Sequence, residues 1–184
     1  PYADAQAADA LTGNAQADAL ALEAARRSVV LLKNDGALPL GGEMKTLAVI
    51  GPNANSMHLG GYSSVPRHTV NILEGIRAKL GDKVKIVYAE GVGITESSEW
   101  GADIVKLVDA EQNQKRIKEA VKVAKKADRI VLVLGDTEQT SREGWAANHL
   151  GDRDSLDLVG QQNDLANAIF ALKNFGWTDR QEVE

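Results

Sequence analysis

Short apolar runs alternate along the chain with longer stretches of helical period. "TLAVI" at 46–50 stops at Gly51-Pro52, "VKIVYAEG" occupies 84–91, and "RIVLVLGD" occupies 129–136. Their Val, Ile and Leu content predicts strands covered on both faces, and a proline just past the first run cannot donate to a ladder. A fourth run, Val29–Leu32 in "SVVLLKNDGALPL", is β-branched enough to predict a strand ahead of an N-D-G turn at 34–36. Helical spacing predicts helices over about 15–27, 69–80, 111–128 and 160–173. In the first, Leu20, Ala24 and Arg27 recur at that spacing. In the second, Ile72, Ile76 and Leu80 are predicted to face one way, with Gly81 where a C-terminal cap belongs.

Strands alternating with helices of this length imply βαβ units. The predicted fold class is therefore α/β: a three-layer α/β/α sandwich around a mainly parallel sheet. Such a fold should continue past Lys173 with another Val-rich strand, but the chain closes on "NFGWTDRQEVE". The sheet is expected to be truncated. Three parts are predicted: a linker and helix over 1–27, a partial sandwich over 28–173, and an atypical tail over 174–184.

Composition narrows the function. The 184 residues suffice for one core, and a net charge of −5 argues against a nucleic-acid partner, which would show a clustered Lys/Arg excess. In "EQNQKRIKEAVKVAKKAD" at 111–128 the basic residues alternate with Glu and Ala, as on a solvated face. There is no cysteine, which rules out disulfides and thiolate chemistry. No apolar stretch has membrane-spanning length, so no membrane role is expected, and the first residues lack a signal-peptide pattern. Compartment is not legible.

In open parallel sheets, ligands sit beyond the carboxyl ends of the strands. The loops there include "GPNANSMHLGGYSS" at 51–64, "EGVGITESSEW" at 90–100 and "TEQTSREGWAANHLGDRDSLDL" at 137–158. The first lacks G-x-G-x-x-G, and neither G-x-x-x-x-G-K-[ST] nor G-x-S-x-G occurs in the chain. His58, His68 and His149 share no metal-ligand spacing, so structural or surface roles are their default. No cofactor and no metal are expected. Glu143 remains, between Arg142 and Gly144-Trp145. A carboxyl against an aromatic wall suits a general acid, and an indole also offers a platform for a sugar ring. A solvated surface carboxylate is the commoner role for such a residue.

Taken together, "AARRSVVLLKNDGALPL" (24–40), "LAVIGPNAN" (47–55), "LGGYSS" (59–64), "TVNILEGI" (69–76), "ADRIVLVLGDTEQTSREGWA" (127–146) and "GDRDSLDLVGQQNDLANAI" (151–169) resemble the C-terminal α/β sandwich of glycoside hydrolase family 3. The family includes β-glucosidases and β-xylosidases. The resemblance implies a retaining β-glycosidase whose N-terminal (β/α)8-type barrel carries an Asp nucleophile, while a sandwich loop supplies the acid/base Glu. The family pattern S-x-E-G-[aromatic] followed by G-D-R matches Ser141, Glu143, Gly144 and Trp145, then Gly151, Asp152 and Arg153. It implies that Glu143 is the general acid/base; Trp145 and Arg142 are expected to bind the sugar, and Asp152 and Arg153 to pair with each other in support of the loop. Arg142 is expected to turn away from Glu143.

No S-D-W occurs in the chain, so the nucleophile is expected on an absent barrel. The expected partners are that barrel and a β-linked oligosaccharide or aryl glycoside, with little turnover by the isolated chain. An uncovered parallel edge predicts dependence on another chain or a homodimer through that edge. The alternative is a non-catalytic carbohydrate-binding or structural α/β module. Whether the sugar is glucose or xylose is not legible.

Overall fold

A computed structural model of the chain describes residues 2–41, 43–60, 62, 63, 66, 68–144 and 150–172. The chain divides into two compact units, Pro1–Gly42 and Glu43–Glu184.

The first unit holds helices α1 (Ala5–Leu11) and α2 (Ala15–Ser28). Each starts at an Asx cap: Asp4 accepts from the amides of Gln6 and Ala7, and Asn14 from those of Gln16 and Ala17. Helix α2 matches the prediction for 15–27, whereas α1 was not foreseen in the Ala-rich start. The predicted strand at Val29–Leu32 does not form. These residues belong to no strand, with Val29 79% and Leu32 92% exposed. β-Branched character permits an extended backbone, but a strand also needs a neighbouring ladder, and this unit contains none among its described residues. The N-D-G turn after it does form. Asn34 closes it by accepting from the Leu38 amide at 2.9 Å and donating to the Leu38 carbonyl at 2.8 Å.

The second unit is the sandwich. Strand β1 (Thr46–Ile50) is central, with β2 (Lys85–Ala89) and β3 (Arg129–Leu132) parallel on its two sides. Helix α3 (Ile72–Leu80) lies between β1 and β2 in the chain, and α4 (Ala110–Ala124) between β2 and β3. The short α5 (Glu138–Ser141) and then α6 (Gln162–Phe170) follow β3. Leu47 and Val49 of β1 pack with Leu73 of α3 on one face. Ala48 and Ile50 pack with Ile117, Ala120 and Leu165 of α4 and α6 on the other. This accounts for the unbroken apolar run: Leu47–Ile50 is at most 1% exposed because helices cover both faces.

The helix ends follow from local chemistry. Asn71 and Glu74 form a reciprocal capping box on α3, and Gly81 ends it at φ +55. The buried residue of α3 is Leu73, whereas Ile72, predicted to face inward, is 48% exposed. Ile72 occupies the first position of α3, one residue before that helix turns onto the sheet. In α4 the buried positions are Asn113, Ile117, Ala120 and Ala124, which leaves the lysines outward as predicted. Gly51 is required where β1 ends: its φ is +139, and a Cβ there would lie 2.0 Å from the Val133 carbonyl oxygen. The predicted tail at 174–184 lies outside the described residues. No described helix is long and apolar enough to cross a membrane.

Candidate active site at the strand ends

The chain leaves β1 toward α3 on one face, and leaves β2 and β3 toward α4 and α6 on the other. Neighbouring strand-end loops therefore diverge on either side of β1, which is the geometry of a topological switch point. A cleft of about 870 Å³ opens there, walled by the loops after β1, β2 and β3. Glu90, Arg116 and Trp100 line it from the second loop and α4, and Asn53, His58 and Glu138 from the other two loops. Arg116 and Glu90 form an ion pair at 2.9 Å. No group of His, Asp or Glu among the described residues is arranged to hold a metal ion.

The segment after β3 is fastened at several points. Within α5, Gln139 is 5% exposed; its amide accepts from the Thr95 hydroxyl at 2.8 Å and donates to the Glu99 carbonyl at 2.7 Å. Arg142 donates to the carbonyls of Trp100 and of Ala102 (3.1 Å), and its guanidinium lies 4.9 Å from the Trp100 ring centroid. The side chain that neighbours Glu143 in sequence thus turns to the loop after β2.

Beyond Arg142 the backbone forms a neck. The Asp152 amide donates to the Arg142 carbonyl at 3.0 Å, and the Gly144 amide donates to the Asp152 carboxylate at 2.7 Å. Gly151 permits this approach, since a Cβ there would come within 2.5 Å of the Arg142 oxygen and 2.7 Å of the Glu143 oxygen. Arg153 meets the Asp136 carboxylate with contacts of 2.7 and 2.9 Å, and also donates to the Asp157 carbonyl. Asp152 and Arg153 therefore take separate partners, one at the neck and one at the end of β3. Glu143 lies exposed in the neck, four residues along the chain from the wall segment Thr137–Gln139, and does not itself line the cleft. Trp145 and His149 lie outside the described residues.

One cluster was not legible beforehand. His58 Nδ1 lies 2.8 Å from Glu138, whose other oxygen accepts from the amides of Leu59 at 2.7 Å and Gly60 at 3.3 Å. Burial pushes the Glu138 carboxyl up. Hydrogen bonds from its own amide, from His58 and from Gly60, with the charge of His58, outweigh that and hold it below its ordinary value. The two residues are 80 positions apart, and no spacing motif links them.

A parallel α/β sandwich with a loop-walled cleft at a switch point defines the class of domain. Residues 29–175 match the glycosyl hydrolase family 3 C-terminal domain. The chain belongs to glycoside hydrolase family 3. It is 39% identical over 168 residues to a β-xylosidase of Formosa agariphila, covering 86% of this chain and 20% of that protein. It is 36% identical over 162 residues to a periplasmic β-glucosidase of Salmonella typhimurium, covering 82% of this chain and 20% of that protein. A solved β-glucosidase from Erythrobacter marinus superposes with a TM-score of 0.78 at 38% identity, covering 86% of this chain and 22% of that one. The chain thus spans about a fifth of the length of these relatives.

Proposed function

We propose that this chain is the sandwich part of a retaining β-glycosidase that removes terminal β-linked xylose or glucose, with Glu143 as the general acid/base. The reading rests on family membership, on relatives named as β-xylosidases and β-glucosidases, and above all on one observation. Glu143 is exposed in a neck whose flanks are tied down by Arg142, Asp152 and Arg153.

Retaining hydrolysis needs two carboxyl groups about 5–5.5 Å apart. One attacks the anomeric carbon while the other protonates the leaving oxygen; the second then takes a proton from water as the glycosyl–enzyme is hydrolysed. In this proposal a barrel domain brings the Asp nucleophile and most contacts to the terminal sugar. Because Glu143 is exposed here, the dry surroundings that make a proton donor effective must come from the barrel and the substrate. Trp145 would offer its indole face to the sugar. Arg142, held by the Trp100 and Ala102 carbonyls, serves as an anchor beside the sugar site, and Asp152 and Arg153 keep the neck closed.

The test uses enzyme assembled from this chain and a family barrel domain. Glu143→Gln is expected to lower kcat/KM roughly 10²–10⁴-fold on aryl β-glycosides with poor leaving groups, the usual scale of general acid catalysis. On activated nitrophenyl glycosides the loss in the glycosylation step is smaller, since little protonation is needed. Wild-type activity on both substrates would refute the assignment. The 184-residue chain alone, folded by circular dichroism, is expected to hydrolyse neither nitrophenyl β-glucoside nor β-xyloside.

A further inference from the structure

His58, Glu138 and Ser56 line the cleft in an order that resembles a Ser–His–acid triad. Ser56 Oγ lies 3.1 Å from His58 Nε2, and His58 Nδ1 lies 2.8 Å from Glu138. The hydrogens point to a different role. Ser56 directs its single hydroxyl hydrogen at the Pro52 carbonyl, 3.1 Å away, and not at His58. Nδ1 faces the Glu138 carboxylate, which only accepts, so the ring donates to it from Nδ1. The serine is not primed to lose a proton to the imidazole. The arrangement is a clamp that joins the loop after β1 to the first residue of α5.

We infer that the Glu138–His58 clamp positions the loop that carries the catalytic carboxylate, making Glu138 a positioning residue for Glu143. The inference rests on the proposed role of Glu143. Glu138 opens α5, and Glu143 follows two residues after that helix ends. One Glu138 oxygen gathers the Leu59 and Gly60 amides while the other meets His58. Three directed contacts therefore fix the start of α5 against the loop after β1, and Gln139 and Arg142 fix its remainder against the loop after β2. The His58 and Glu138 side chains are 31% and 24% exposed, and the pair lies outside both apolar clusters. Its loss should move α5 without unfolding the sheet.

Glu138→Gln keeps an acceptor for the Leu59 amide but removes the charge that meets the imidazole. In the enzyme assembled with a barrel, this variant is expected to lower kcat on poor leaving groups on the order of ten- to a hundredfold, the scale of a misplacement of about 1 Å. KM should stay within about threefold, and activated aryl glycosides should be affected less. Glu138→Asp should restore part of the loss. His58→Phe, which keeps a ring but removes both ring nitrogens, should reproduce the pattern and covers the case in which Glu138→Gln fails to fold. The deciding result is the double variant: Glu138→Gln with Glu143→Gln should be no slower than Glu143→Gln alone, because the first acts through the second. Multiplying losses, or a loss equal across leaving groups, would overturn the inference. Wild-type behaviour of Glu138→Gln beside an impaired Glu143→Gln would overturn it alone. Wild-type behaviour of Glu143→Gln would overturn it together with the proposed function.

Discussion

The two ends of the sheet use the same interaction for different ends. At the foot, one Asp128 oxygen accepts from the amides of Lys45 and Thr46, both at 2.8 Å, while the Asp128 amide donates to the Thr46 carbonyl at 2.9 Å. At the head, one Glu138 oxygen accepts from the amides of Leu59 and Gly60. Hydrogen bonds from the Thr46 and Lys45 amides lower the Asp128 pKa, with the Lys45 and Arg129 charges adding to this against a smaller effect of burial. Glu138 is lowered as well, but there burial is the largest single influence and only the hydrogen bonds and the His58 charge together outweigh it. The connections differ more than the carboxylates do. At the foot, 81–84 and 125–128 are short connections, and Asp128 ties the start of β3 to the start of β1. At the head, 51–71, 90–109 and 133–161 are long, and Glu138 joins loops that diverge onto opposite faces. The scaffold is closed at one end and opens into its cleft at the other.

The comparison is broken most thoroughly beneath both ends. Leu165, fully buried in the cluster with Ala48 and Ile50, supports the sheet as a whole. Leu165→Ala is expected to cost about 2–5 kcal/mol in urea unfolding, and a cost under about 1 kcal/mol would show that the face is loosely packed. A change confined to the head should separate activity from stability. Gly151→Ala forces the neck apart, so activity in the assembled enzyme is expected to fall on the order of a hundredfold. Its urea midpoint should move much less than that of Leu165→Ala. Asp128→Asn should do the reverse, lowering the urea midpoint at pH 7 and leaving kcat and KM unchanged. Its pH dependence has a definite sign. A depressed folded-state pKa means the contribution is complete above the unfolded value near 3.8 and is lost as pH falls through the folded value. Wild type and variant should therefore converge in acid once pH has fallen below that folded value. A stability gap unchanged between pH 7 and that range would contradict the role of the ionised carboxylate.

These contrasts bear on what was legible in the sequence. Strand β1 was read with its observed limits because both faces are covered, so every position from Leu47 to Ile50 carries the signal. The period of α4 was equally plain. Val29–Leu32 misled because an apolar β-branched run states a preference, while pairing depends on residues elsewhere. The predicted strands at 84–91 and 129–136 were too long for the same reason: ladder pairing stops at Ala89 and Leu132, although the apolar character continues. Glu143 was singled out through a motif. Asp152 and Arg153 were read as supports of that loop, but the other fastenings were not legible, because His58 and Glu138, or Arg142 and Trp100, meet only after two crossovers have brought their loops to one sheet edge.

The most direct test of the central claim is azide rescue of Glu143→Ala in the enzyme assembled with its barrel, using an activated aryl glycoside. Without a general base, water attacks the glycosyl–enzyme slowly. Azide needs no proton removed; it forms its bond to the anomeric carbon as the nucleophile carboxylate departs. The account predicts faster turnover with added azide and a β-glycosyl azide product. No acceleration, or hydrolysis as fast as wild type without azide, would contradict the assignment of Glu143.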